Sequence, residues 1–72
     1  MIKFATYAGN TNRAGELVRG WDGDDSDDYI VWEFDDVVGI DNYIEAIEEH
    51  GDRSRYQMRL LDSMKEEMEF NL

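Results

Sequence analysis

The chain has 72 residues, no cysteine and no proline, and 18 acidic residues against seven Lys and Arg, for a formal net charge of −11. That balance argues against direct binding to nucleic acid or to an anionic membrane, because both need basic patches. Without cysteine there is no disulfide framework, no thiolate metal site and no cysteine nucleophile. No apolar run approaches the length of a membrane span, and Met1 to Ala8 is too short and too polar for a signal h-region, so a cytoplasmic protein is expected. The patterned apolar residues, 42% of the chain, argue for one small folded domain over residues 1–72. At this size a domain buries only about 60% of the surface its unfolded chain exposes, so the core is thin.

Ile2 to Ala8 reads as a strand, with Ile2, Phe4 and Thr6 on one face and Lys3, Ala5 and Tyr7 on the other. Gly9 to Trp21 admits two readings. Ala14, Leu17, Val18 and Trp21 share one helical face, and Thr11 or Asn12 could cap it. Alternatively Gly9-Asn10-Thr11-Asn12 is turn chemistry, and Glu16 to Trp21 returns as the second arm of a hairpin. Gly15 and Gly20 would each cost a helix about 1 kcal/mol, which favours the hairpin.

Asp22 to Asp28 is a loop of Gly, Ser and Asp. Tyr29 to Phe34 is rich in β-branched and aromatic residues with apolar groups on both faces, the pattern of a central strand. Ile40, Tyr43, Ile44 and Ile47 mark a helix, with Asp41 as N-cap and Gly51 as its stop. Asp52 or Ser54 restarts the chain into a last helix, whose inner stripe is Tyr56, Leu60, Leu61, Met64 and Met68. The predicted class is α+β: a two- or three-stranded antiparallel sheet packed against two C-terminal helices.

From Asp22 to Asp52 the chain carries thirteen carboxylates and no Lys or Arg. A folded domain ordinarily intersperses the two signs to limit self-repulsion. Glu45, Glu48, Glu49 and Asp52 fall on one helical stripe at the C-terminal end, where the helix dipole prefers cations. Nothing local offsets them unless Arg53 or Arg55 folds back. Alternate residues of a strand lie roughly 6.6 Å apart, about two 3.4 Å steps along one DNA strand. A row of carboxylates with such spacing can occupy a groove built for phosphates. The candidate partner-binding residues are Asp22, Asp24, Asp25, Asp27 and Asp28 in the loop, Asp35 and Asp36 after the strand, and Glu45, Glu48 and Glu49 on the helix. Two plainer explanations compete: an acidic face that only keeps a small protein in solution, and adaptation to high salt.

Thr6-Tyr7-Ala8, Asn10 and Asn12, then Gly15, Leu17, Gly20 and Trp21, resemble the opening of ArdA-type antirestriction proteins. There a strand ending in Thr-Tyr-Ala leads through an Asn-rich turn to Gly-x-Leu-x-x-Gly-x-Trp. In this chain the turn is longer, Gly20 abuts Trp21, and the next acidic segment does not align clearly. The resemblance covers residues 6–21 and implies an acidic mobile-element protein that mimics DNA toward restriction enzymes. In size and charge alone the chain also resembles phage anti-CRISPR proteins.

Asp22, Asp24, Ser26 and Glu33 match positions 1, 3, 5 and 12 of an EF-hand calcium loop. The sixth position, where the loop needs Gly, is Asp27, and the exit reads as strand where an EF-hand has a helix. Gly9-Asn10-Thr11 is similar to a flavodoxin phosphate loop, but a fold of that kind needs about twice this length and further βα units. His50, the single histidine, has no nucleophile pointing toward it and is expected to cap a helix end. Neither an enzyme nor a cofactor is expected. Met58, Met64 and Met68 read as core packing, and Trp21 and Trp32 as core anchors, while Phe70 and Leu72 extend past the predicted helix end and offer a surface for a homodimer.

The leading expectation is a non-enzymatic phage or mobile-element inhibitor that mimics DNA and blocks a basic nucleic-acid-binding defence protein, a restriction or CRISPR nuclease. The alternatives are a protein–protein interaction module with a solubilising acidic face, and a calcium-stabilised module built on the Asp22–Glu33 loop.

Overall fold

The computed structural model describes residues 1–72. Three strands, β1 (Ile2–Tyr7), β2 (Leu17–Val18) and β3 (Tyr29–Phe34), are followed by two helices, α1 (Val37–Glu48) and α2 (Arg55–Phe70). The sheet is antiparallel throughout in the order β2-β1-β3, so the α+β class holds with three strands. No helix is long and apolar enough to cross a membrane.

The central strand is β1, and β3 lies at an edge, which corrects the expectation for Tyr29–Phe34. Apolar groups on both faces of β3 have another cause. Ile30, Trp32 and Phe34 occupy one face, and Trp32 and Phe34 pack against the core. On the opposite face Tyr29 and Val31 are covered by the strand's own preceding loop. β1 is the strand buried on both sides: Phe4, Ala5 and Thr6 are all fully inaccessible. It pairs with β3 along its whole length, from Ile2 opposite Phe34 to Tyr7 opposite Tyr29.

The hairpin reading of residues 9–21 is the one the chain adopts, with a second arm only two residues long. A helix through Ala14, Leu17, Val18 and Trp21 is interrupted by Gly15 and Gly20, whose φ angles are +83° and +71°. Asp36 caps α1, accepting from the Gly39 amide at 3.0 Å. The expected cap, Asp41, sits a turn further in, because Val37–Gly39 extends the helix backwards from the apolar stripe. Gly51, at φ +77°, makes the turn beyond the helix. Ser54 and Gln57 form a reciprocal capping box on α2. That helix runs through Phe70, which corrects the expectation that Phe70 lies beyond its end.

Both helices pack on one face of the sheet, α1 beside β3 and α2 across β1 and β2. Phe4, Ile40, Ile44, Leu60, Leu61 and Met64 form the core, with Ile2, Leu17, Trp32, Phe34, Ile47, Tyr56 and Met68 around it. Met64 and Met68 therefore pack inside, whereas Met58 faces solvent. Thr6 is buried among these apolar groups, and its hydroxyl accepts from the Trp32 indole N–H at 2.8 Å.

At Gly15 the turn before β2 lies directly against the backbone of α2. A Cβ on this residue would stand 2.9 Å from the Leu60 amide nitrogen, 2.9 Å from the Tyr56 carbonyl oxygen and 2.7 Å from the Arg59 Cβ. The Gly15 amide donates to the Tyr7 carbonyl at 2.9 Å, and its carbonyl accepts from the buried Ser63 hydroxyl. One residue thus joins β1 to α2 through its backbone. Gly15→Ala combines backbone overlap with a strained φ and should lower stability by about 3 kcal/mol or more. Gly9→Ala, where no heavy atom lies within 4 Å of the added carbon, should change it by less than about 0.5 kcal/mol; denaturant titration of the two variants beside the parent chain checks both.

Candidate acidic interaction surface

The loop from Trp21 to Asp28 folds onto the sheet face opposite the helices. Trp21 leads it, its ring 4.4 Å from that of Tyr29, which in turn lies 4.9 Å from Tyr7. Gly23 passes beneath the indole. Two hydrogen bonds then fix the loop to the outer edge of β3: the Val31 amide donates to Asp25 Oδ1 at 2.7 Å, and the Ser26 amide donates to the Tyr29 carbonyl at 3.1 Å. Asp22, Asp24, Asp25, Asp27 and Asp28 are all exposed. Asp24 and Asp25 line a shallow hollow of about 390 Å³ together with Lys3, Gly23, Val31 and Glu33.

Asp35 and Asp36 occupy the corner where β3 becomes α1, and both are exposed. Glu45 and Glu48 lie on α1, and Glu49 follows as its C-terminal cap residue. Asp52 leaves the predicted stripe because the helix ends at Glu48 and Gly51 turns the chain. The candidate acids therefore do not form one plane. The loop aspartates lie on the back of the sheet, the helix glutamates lie in the helix layer, and Asp35 and Asp36 stand between them at the β3 corner. Two carry structural work as well: Asp25 holds the loop and Asp36 caps the helix.

Where the cations go decides the electrostatics. Arg13 and Arg59 reach Glu16, at 2.7 Å and 3.9 Å. Arg19 pairs with Glu66 and with the buried Glu67, each at 3.1 Å, and stacks 4.1 Å above Phe70. All of these acids lie outside the Asp22–Asp52 window, on the β2/α2 side. Within the window, Lys3 lies 3.9 Å from Glu33, and Lys65 reaches Glu48 at 3.1 Å. Eleven of the thirteen window carboxylates have no cation within 4 Å. Arg53 and Arg55 make no ion pair, although Arg53 shares a hollow with Glu48 and Lys65; the cation paired with the acidic end of α1 is Lys65, from the neighbouring helix.

The calcium-loop candidates Asp22, Asp24, Ser26 and Glu33 are not drawn into a ligand set. Asp24 and Glu33 share the hollow, but no three carboxylate or imidazole groups converge so as to hold a metal ion. The segment leaving the loop is β3, where an EF-hand has a helix. His50 is exposed in the turn after α1, and its side chain makes no hydrogen bond or ion pair within the chain. Of the two tryptophans, Trp32 meets the core; Trp21 covers the opposite face. Sequence reasoning missed the Trp21–Tyr29–Tyr7 stack, extended by Arg13 at 4.4 Å over the Tyr7 ring. The alternation of Tyr29 and Val31 against Trp32 carried the available signal, since those residues had to be covered by something.

Compared with protein-family models, curated proteins and solved structures, the chain matches none.

Two phenols titrate above the usual tyrosine value of 10.0. Tyr29 is raised chiefly by the adjacent Tyr7 hydroxyl, then by burial and by the nearby Asp28. Tyr56 is raised chiefly by burial, with the Thr6 hydroxyl opposing the shift. In both cases the fold favours the neutral phenol. Its contribution is complete below the unfolded value of 10.0 and is lost as pH rises through the higher folded values. Alkaline titration followed by phenolate absorbance should show Tyr29 and Tyr56 ionising above the usual tyrosine value, with folding stability falling over that range. Tyr56→Phe should remove part of the fall.

Proposed function

We propose that the protein is a non-enzymatic inhibitor that presents an acidic surface in place of DNA and occupies the binding groove of a basic nucleic-acid-binding protein. The observation that carries this reading is the segregation of charge. Arginines 13, 19 and 59 are engaged by Glu16, Glu66 and Glu67, while most carboxylates of the window face solvent without a cation. The loop aspartates, Asp35 and Asp36 at the β3 corner, and Glu45, Glu48 and Glu49 at the end of α1 are all exposed, and a DNA duplex likewise presents lines of exposed negative charge. The likeness of residues 6–21 to ArdA-type antirestriction proteins supports the same reading, with a restriction or CRISPR nuclease as target and the host cytoplasm as the place of action.

A second reading has its own observation. Met58, Phe70 and Leu72 are exposed, at 56%, 69% and 89%, and could give an apolar contact with a partner or a second copy. Salt separates the two readings, because electrostatic steering weakens with ionic strength and apolar burial does not.

The test is capture from a host lysate followed by competition. The captured protein should bind duplex DNA, leave when excess duplex is added, and dissociate as salt rises. Asp27→Lys with Glu45→Lys, two positions without a structural hydrogen bond, should slow association about tenfold and leave dissociation nearly unchanged. A partner retained through high salt and excess duplex would contradict the mimicry and favour the apolar contact.

A further inference from the structure

We propose that the outer edge of β3 receives an extended basic segment of the partner as a fourth strand, an inference that rests on the acidic-surface reading and specifies how part of it is used. The backbone supplies the reason. In the ladder with β1, Ile30, Trp32 and Phe34 direct their hydrogen-bonding groups inward, opposite Thr6, Phe4 and Ile2. Tyr29, Val31 and Glu33 direct theirs outward. The loop satisfies the Tyr29 carbonyl and the Val31 amide. The Val31 carbonyl and both backbone groups of Glu33 have no partner within the chain. An open edge of this kind is a template for strand addition.

Charge selects the occupant. On the back face, a side chain opposite Glu33 would meet that carboxylate and the hollow lined by Asp24 and Asp25, three carboxylates against one cation, Lys3, which lies 3.9 Å from Glu33. Asp35 and Asp36 stand at the far end of the strand. On the helix face, the next residue would lie beside Trp32 and Phe34, over which Tyr43 stands edge-on and 40% exposed. The fitting segment therefore alternates Lys or Arg with aliphatic residues. A second copy does not fit, because it would bring the same carboxylates against these. Directly opposed like charges across a strand pair are unfavourable.

The test uses the full chain and two synthetic peptides of equal charge, one alternating Lys with Val and one alternating Lys with Pro. At low ionic strength the Lys–Val peptide should bind more tightly than the Lys–Pro peptide and slow exchange of the Glu33 amide about tenfold or more. Glu33→Pro removes the outward N–H at an edge position where proline is tolerated. It should weaken Lys–Val binding about tenfold, the scale of one hydrogen bond, whereas Glu33→Gln should weaken it less than about threefold. Should Glu33→Pro fail to fold, the wild-type amide exchange decides alone. Equal, salt-sensitive binding of both peptides with an unprotected Glu33 amide would overturn strand addition and leave the acidic surface standing. Binding of neither peptide would overturn both.

Discussion

The fold turns on a backbone contact at Gly15. Its amide reaches β1 through the Tyr7 carbonyl, its carbonyl takes the Ser63 hydroxyl of α2, and no side chain separates the turn from the helix. In a chain this small, with six side chains at the heart of its core, close approach replaces bulk. The turn before β2 brings the sheet within contact of α2, and Phe4, Leu60 and Met64 can then fill the space beside it. α1 completes the layer by laying Tyr43 across Trp32 and Phe34.

That contact also governs the distribution of charge. Arg13, Arg19 and Arg59 flank the junction of β2 with α2 and are engaged there: Arg59 donates to the Asn12 carbonyl, and Arg19 is held between two glutamates and the Phe70 ring. Cations committed to fastening one side of the molecule are not available to the other. On the β3 and α1 side only Lys3 and Lys65 pair with any of the thirteen carboxylates, and Arg53 shares a hollow with Glu48 without pairing. Exposed pairs of that kind contribute little, about 1 kcal/mol at most. The acidic surface is thus a consequence of how the fold is fastened as well as of composition.

Much of this was legible from the residues. The paired glycines at 15 and 20 pointed to a hairpin, Asp52 or Ser54 to a helix start, and the apolar stripe of α2 to its buried face. Strand order was not legible, because Tyr29–Phe34 carries apolar groups on both faces for two reasons that look alike in sequence: burial within a sheet and cover by its own loop. The N-cap was misplaced by reading the helix from its first buried isoleucine; the turn before it is only partly buried and left no stripe to follow. The acidic residues were easy to find along the chain, but their division between two faces depends on the path of the 21–28 loop over the sheet. That path is set by aromatic stacking at Trp21 and by Asp25 bonding to a strand edge, neither of which has a periodic signature.

The exposed carboxylates of the 22–52 window repel one another and are held in place by contacts made elsewhere. Equilibrium unfolding of the full chain at low and at high concentrations of a monovalent salt tests this most directly, because salt screens exposed charges at separations near or beyond the Debye length, about 10 Å at 0.1 M. If the window carboxylates are unneutralised, stability should climb steadily with salt, and neutralising the loop aspartates to asparagine should flatten the climb. A stability that is indifferent to salt, or that falls as salt is added, would mean the charges are balanced within the molecule and would contradict the account.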